Sequence, residues 1–236
     1  IMLIISISVV FDINEKIDKS VVNRTIANLQ FDYKLPFLPD LRANLNVGID
    51  HSNSTGSVVT LDNSSMSYSW GSIKNGTGEN NPYGQKINNE LIDFYLNYVK
   101  EVESIKSKFD VMGGYSWQRF YRNGWNNYNF MDGTQRLTPT DDVTESYIIS
   151  LFGRLNYQYK SRYILNLTGR RDGSSRFGPD RRFANFGAIG AAWLFSRENF
   201  LKENKWLSFG KLRASYGLTG SDQIGDYKYL DTYTVS

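Results

Sequence analysis

Segments of about ten residues that alternate apolar and polar side chains, connections that alternate short and long, and aromatic residues crowded at the short-turn ends together predict an all-β chain. The pattern favours an antiparallel transmembrane β-barrel, with about eight to nine strands in this segment, over a soluble β-sandwich.

The apolar run IMLIISISVVF opens the chain. No basic stretch precedes it and no small-residue cleavage site follows, so it is not read as a signal peptide; it is a strand or the start of a truncated chain, and no function is placed there. Ala27, Leu29, Phe31, Tyr33 and Leu35 then alternate with Asn28, Gln30, Asp32 and Lys34. After a turn at Pro36 to Asp40, Leu41, Ala43, Leu45, Val47 and Ile49 alternate with Arg42, Asn44, Asn46, Gly48 and Asp50, completing a hairpin. A long Ser, Asn and Gly-rich loop is expected from His51 to about Lys86.

The next hairpin pairs Ile92, Phe94, Leu96 and Tyr98 with Phe109, Val111, Gly113, Tyr115 and Trp117. A second long loop is expected from Arg119 to about Ser146, before a strand with Tyr147, Ile149, Leu151, Gly153, Leu155, Tyr157 and Tyr159 on its apolar face. Lys160 to Arg162 is the tightest turn. Tyr163, Leu165, Leu167 and Gly169 alternate with Asn166, Thr168 and Arg170, and this strand breaks at Asp172-Gly173 into a loop closed by Gly178-Pro179-Asp180. Its partner ends in Trp193 and Phe195. Ser196 is a candidate N-cap for a short helical turn, Leu212, Ala214 and Tyr216 mark an eighth strand, and Tyr227, Tyr229, Tyr233 and Val235 hint at a ninth.

Composition narrows the function classes. A net charge of +3 and a pI near 8.9, with Lys and Arg scattered among acids, give no nucleic-acid surface. With no Cys and the single histidine His51, disulfides, metal sites and a hydrolytic triad are disfavoured, and no cofactor or metal is expected. No HExxH, GxSxG, Walker-type or Rossmann motif occurs, so the chain is not read as an enzyme and no catalytic residue is named. The mean hydropathy of −0.45 would suit a soluble protein, but in a barrel lipid-facing and lumen-facing residues average out.

Two groups of residues are candidates for binding. Tyr121, Trp125, Tyr128 and Phe130 in the second loop, and Tyr68 and Trp70 in the first, offer flat aromatic faces beside amide donors. That combination suits sugar rings and protein partners alike, and equally suits loop-on-loop packing. Arg171, Asp172, Arg176, Asp180, Arg181 and Arg182 form a loop of interleaved charge, first a self-paired scaffold at the barrel mouth and secondarily a grip for an anionic ligand.

Four stretches also carry a family likeness. LPDLRANLNVGID, DVMGGYSWQRFYRNG, RRDGSSRFGPDRR and KLRASYGLTGSDQIGDYKYL resemble, in this order, the barrel region of the SusC/RagA-type TonB-linked outer-membrane transporters. The likeness runs from about Asp18 to Tyr233. It implies that residues 1–236 are a partial TonB-dependent-receptor-like barrel, with no plug domain or TonB box identified, in the outer membrane of a Gram-negative bacterium. It further implies import of oligosaccharides or peptides, a SusD-like surface lipoprotein as partner, outer-membrane lipid as surroundings, and the TonB complex reached through parts this chain lacks. The alternatives are a self-contained small barrel acting as anchor or adhesin, and a soluble carbohydrate-binding β-sandwich.

Overall fold

The computed structural model of the chain describes residues 15–68, 76–201 and 206–230. The opening run, Trp70, Tyr233 and Val235 lie outside the described residues. The strands are β1 (Lys16–Lys34), β2 (Leu41–Thr60), β3 (Glu79–Val102), β4 (Ser107–Asn129), β5 (Gln135–Tyr159), β6 (Tyr163–Ser174), β7 (Phe183–Trp193) and β8 (Leu212–Leu218). They form one 8-stranded sheet in strict chain order. Among the described residues no ladder joins β8 to β1, so a barrel closed by these strands alone is not formed. Among the described residues the helical elements are single 3₁₀ turns, and none is long and apolar enough to cross a membrane.

Strand length departs from the sequence reading. β1 to β5 run 19, 20, 24, 23 and 25 residues, roughly twice the 9–11 that a tilted membrane strand requires. The expected loop from His51 to Lys86 is therefore half strand, since β2 continues to Thr60 and β3 resumes at Glu79. The second expected loop is a hairpin extension, β4 and β5 being joined at residues 130–134. The physical reason is that stretches such as HSNSTGSVVT satisfy their backbone groups in the ladder while carrying polar side chains on both faces. A hydrophobic period of two exists only where one face meets an apolar medium. Connection lengths consequently do not alternate: residues 130–134 form a tight turn, and the connection between β7 and β8 is long.

The chain divides into two compact units. The second comprises residues 27–49, 90–119 and 146–236, and here the two-faced pattern holds. Antiparallel register places Tyr159, Tyr163, Trp193 and Leu212 in one row across β5 to β8, followed by Tyr157, Leu165, Ala191 and Ala214, then by Leu155, Leu167, Ile189 and Tyr216. The opposite face carries Asn156, Asn166, Gly190 and Ser215, beside Arg154, Thr168, Ala188 and Gly217. One face is a sheet of hydrocarbon and the other is polar or bare. On the polar face, the Asp110 carboxylate accepts hydrogen bonds from Asn97 Nδ2 (2.7 Å) and Asn156 Nδ2 (3.3 Å).

Aromatic contacts bracket the apolar rows. Phe109 and Tyr157 meet at 5.0 Å between ring centroids, and Tyr159 stacks on Tyr163 at 6.2 Å, both at the short-turn end. Trp117 and Tyr147 meet at 6.2 Å toward the other. The β5–β6 turn gives Lys160 and Ser161 positive φ (50° and 52°), the conformation of a type I′ hairpin whose twist matches its strands. Against it lies the segment after β7. Glu198 accepts hydrogen bonds from the Tyr163 hydroxyl (2.7 Å), Arg162 Nη1 (2.7 Å) and Trp193 Nε1 (3.1 Å). These donors, the Tyr163 hydroxyl foremost, hold its carboxyl below the usual glutamate range. The helical turn expected from Ser196 is the 3₁₀ turn Phe195–Arg197, with Leu194 rather than Ser196 in the cap position and no side-chain cap bond. Tyr227 and Tyr229 do not begin a ninth strand: they lie in consecutive turns, Tyr227 with φ 60°.

The first unit comprises residues 1–26, 50–89 and 120–145. Its described residues are held by polar contacts, including Arg24 bidentate to Asp50 at 2.8 Å and the Tyr83 hydroxyl on Asp18 at 2.8 Å. At Gly78 a Cβ would lie 2.3 Å from the Thr60 carbonyl oxygen and 2.7 Å from the Asp62 nitrogen, so only glycine fits this corner.

Burial in the described residues is inverted relative to a water-soluble domain. Leu194 is the only buried apolar side chain, whereas Asn44, Thr60, Ser64, Ser67, Glu79, Ser107, Ser116, Ser146, Ser150 and Ser174 are buried. Apolar side chains such as Val21, Leu29, Leu151, Ile189 and Leu212 are exposed. A sheet with this distribution is built for an apolar exterior.

Candidate functional site

In the first unit, the predicted aromatic set divides between the two sides of β4. Tyr121 and Trp125 fall on one side by alternation, Tyr128 and, just past the strand end, Phe130 on the other. All four are half-buried. The Trp125 indole packs over Gly84, where a Cβ would lie 2.6 Å from Nε1. Tyr128 lies under the Arg136 guanidinium at 6.0 Å, and Arg136 Nε in turn lies 3.3 Å from the buried Glu79 carboxylate. Phe130 bridges Glu79 and closes the β4–β5 hairpin by accepting from Gly133 N–H (3.0 Å) and donating to the Thr134 carbonyl (2.9 Å). Tyr68 is more exposed. Its hydroxyl donates to Asn63 Oδ1 (3.3 Å) and its ring covers Gly76.

The charged loop lies in the second unit, between β6 and β7. Arg171 and Asp172 are still on β6, which continues to Ser174 past the break expected at Asp172-Gly173. Neighbours on a strand point to opposite faces, and these two separate accordingly. Arg171, in register with Leu151 and Asn185, lies 5.3 Å over the Phe183 ring. Asp172, in register with Ser150 and Ala184, is held by Arg170 Nε (2.8 Å to Oδ2), while Arg170 Nη2 donates to Ser150 Oγ (2.8 Å).

Arg176 turns away from both nearby acids of the motif. Its Nε donates to Asp226 Oδ1 at 2.8 Å, and its Nη1 lies 3.8 Å from Asp222 Oδ2. The Ser174 hydroxyl donates to the same Asp222 oxygen (3.1 Å). The loop is thus tied to the segment after β8, a contact spanning some fifty positions that sequence reasoning missed. The signal available was the pair of acids in GSDQIGD, shortly after the last strand. Asp180 and Arg181 sit in the 3₁₀ turn Pro179–Arg181, and Arg182 follows it.

These elements enclose a pocket of about 580 Å³, into which Arg170, Asp172, Arg181, Arg182, Phe186 and Asp222 converge. Asp172 and Asp222 already have donors, whereas the Arg181 and Arg182 guanidinium groups form no ion pair or hydrogen bond among the described residues. No cluster of three or more potential metal ligands occurs among the described residues.

No protein-family profile matches the chain. Curated proteins do. The chain is 36% identical over 229 residues to the TonB-dependent receptor SusC of Bacteroides thetaiotaomicron, a match covering 94% of this chain and 22% of that receptor. It is 35% identical over 158 residues to the TonB-dependent receptor P3 of Formosa agariphila, covering 62% of this chain and 16% of that protein. The chain therefore spans about a fifth of the length of the curated relatives it matches. Among solved structures, it superposes on the RagAB peptide transporter with a TM-score of 0.80 at 21% identity, covering 91% of this chain and 24% of that one. The RagAB peptide importer in its "open-open" state gives 0.80 at 21%, covering 94% and 25%. Over nearly its whole length, in sequence and in strand topology, the chain matches the barrel region of the SusC/RagA type of TonB-dependent receptor.

Proposed function

We propose that this chain forms part of the wall of an outer-membrane active transporter in a Gram-negative bacterium, one that imports oligosaccharides or peptides with energy delivered through TonB. The observation that carries the reading is the 36% identity to the receptor SusC over 94% of the chain, on a sheet whose apolar side chains face outward. The superposing structures are those of a peptide transporter and importer, and the similarity to SusC extends the proposed substrate class to oligosaccharides by the family likeness. A SusD-like surface lipoprotein is the partner proposed for the whole protein, seated over the mouth, and TonB is reached through portions outside this chain. The aromatic set Tyr68, Tyr121, Trp125, Tyr128 and Phe130 is proposed to brace the protruding hairpins and to present ring faces to partner or substrate.

The test uses the whole parent protein. Cells carrying it should take up labelled oligomers from oligosaccharide and peptide pools, uptake should cease on deletion of the parent gene or on adding a protonophore, and the protein should fractionate with outer membrane. Recovery as a monodisperse protein in detergent-free buffer, or unchanged uptake after deletion, overturns the reading.

A further inference from the structure

We propose that the pocket between the β6–β7 loop and the segment after β8 is a recognition subsite for a carboxylate carried on the transported oligomer, gripped by Arg181 and Arg182. The inference rests on the transport reading and names a substrate chemistry for it.

The charges that line the pocket do not balance one another. Five charged residues line the pocket: Arg170, Arg181, Arg182, Asp172 and Asp222. Arg170 is spent on Asp172 and Ser150, so that pair is neutral and fixed to the strands. Asp222 is likewise spent, taking the Ser174 hydroxyl and lying beside Arg176. What remains is two guanidinium groups, adjacent in sequence, with no acid paired to them among the described residues, since Asp172 and Asp222 in the same pocket already have other partners. Asp180, their neighbour in the turn, does not line the pocket.

A pocket of about 580 Å³ is large enough for a sugar ring or a terminal amino acid residue. Phe177 and Phe186 give it apolar walls, the Phe186 ring fixed against Gly220, and the Ser221 hydroxyl adds a neutral polar group. Guanidinium forks with apolar walls select a planar anion on a compact body, for which a carboxylate is the natural fit. Two sources supply it: the uronate of an acidic sugar and the terminal carboxylate of a peptide.

The test titrates the whole transporter, purified in detergent, with two matched pairs by calorimetry. One pair is a galacturonate tetramer and its methyl ester; the other is a tetrapeptide and its C-terminal amide. In one pair the free acid should bind about tenfold tighter than its neutral derivative, and that pair identifies the source. The advantage should shrink as salt rises, because it is a charge interaction in a site open to water. Combining Arg181→Gln with Arg182→Gln should abolish the advantage while leaving the neutral derivative's affinity unchanged, with barrel folding checked by heat-dependent gel mobility. Equal binding of acid and neutral derivative in both pairs overturns the proposal, as does equal weakening of both by the variant or the binding of no compound. The wild-type comparison decides even if the variant misfolds. Uptake of any oligomer by cells, measured beside it, judges the transport reading separately.

Discussion

Leu155 and Asn156 are neighbours on β5 with opposite surroundings. Leu155 stands in the row with Leu167, Ile189 and Tyr216, four positions from the Tyr159, Tyr163, Trp193 row on one side and from the Leu151 row on the other. Four residues of tilted strand place it roughly 10 Å inside the interfacial aromatic row, near the middle of an apolar band about 25 Å tall. A guanidinium there costs about 2–4 kcal/mol, roughly 30-fold to 1000-fold in the folding equilibrium. Asn156 faces the other way, and its amide donates to Asp110 Oδ2 at 3.3 Å. An arginine at that position keeps a carboxylate to bind, so Asn156→Arg should cost less than about 1 kcal/mol. The assay is urea-driven unfolding of the whole parent protein from lipid vesicles, with each substitution compared to wild type. Leu155→Arg should lower stability by the larger amount. Equal losses, or the reverse order, would refute the assignment of the two faces.

Glu198, with its carboxyl held below the usual range, contributes stability that is present above its unfolded value near 4.5 and lost as pH falls through its lower folded value. Acidification below pH 4.5 should release the segment after β7, read as a change in Trp193 fluorescence that is absent in Glu198→Gln. Gly78→Ala should destabilise the first unit by about 1–3 kcal/mol through its collision with the backbone at Thr60 and Asp62, measured by limited proteolysis in urea. Gly124→Ala, which meets nothing within 4 Å, should leave the proteolysis midpoint unchanged. An epitope tag at Gly133, on the tip of the β4–β5 hairpin, should be reached by antibody on whole cells, and one at Ser161 should not; the opposite accessibility overturns the sidedness.

The sequence was most legible where lipid sets the pattern. From Tyr147 to Tyr216 each apolar alternation corresponds to a row of the sheet, because a residue on the wrong face there would meet hydrocarbon. Beyond that zone legibility failed for a physical reason. Residues 51–60 and 120–129 are strand with polar groups on both sides, and a strand in water on both faces has no hydrophobic period to find. The charged loop was legible as a cluster but not in its pairing. Arg176 bypasses Asp172 and Asp180, near in sequence, for Asp222 and Asp226, which only the fold brings close. Tyr227 and Tyr229 mimicked strand alternation because spacing alone does not reveal a positive φ.

The buried serines bear on when this protein can fold as well as where it resides. A water-soluble domain can collapse around its leucines first and reach its destination afterwards. Here the groups that disappear from solvent are hydroxyls such as those of Ser67 and Ser150, and burying them supplies no drive to collapse in water. The drive comes from hydrocarbon that belongs to the membrane, so acquiring the native shape and entering the bilayer are a single event. Before that event the alternate apolar residues of the open chain face water, where they favour aggregation.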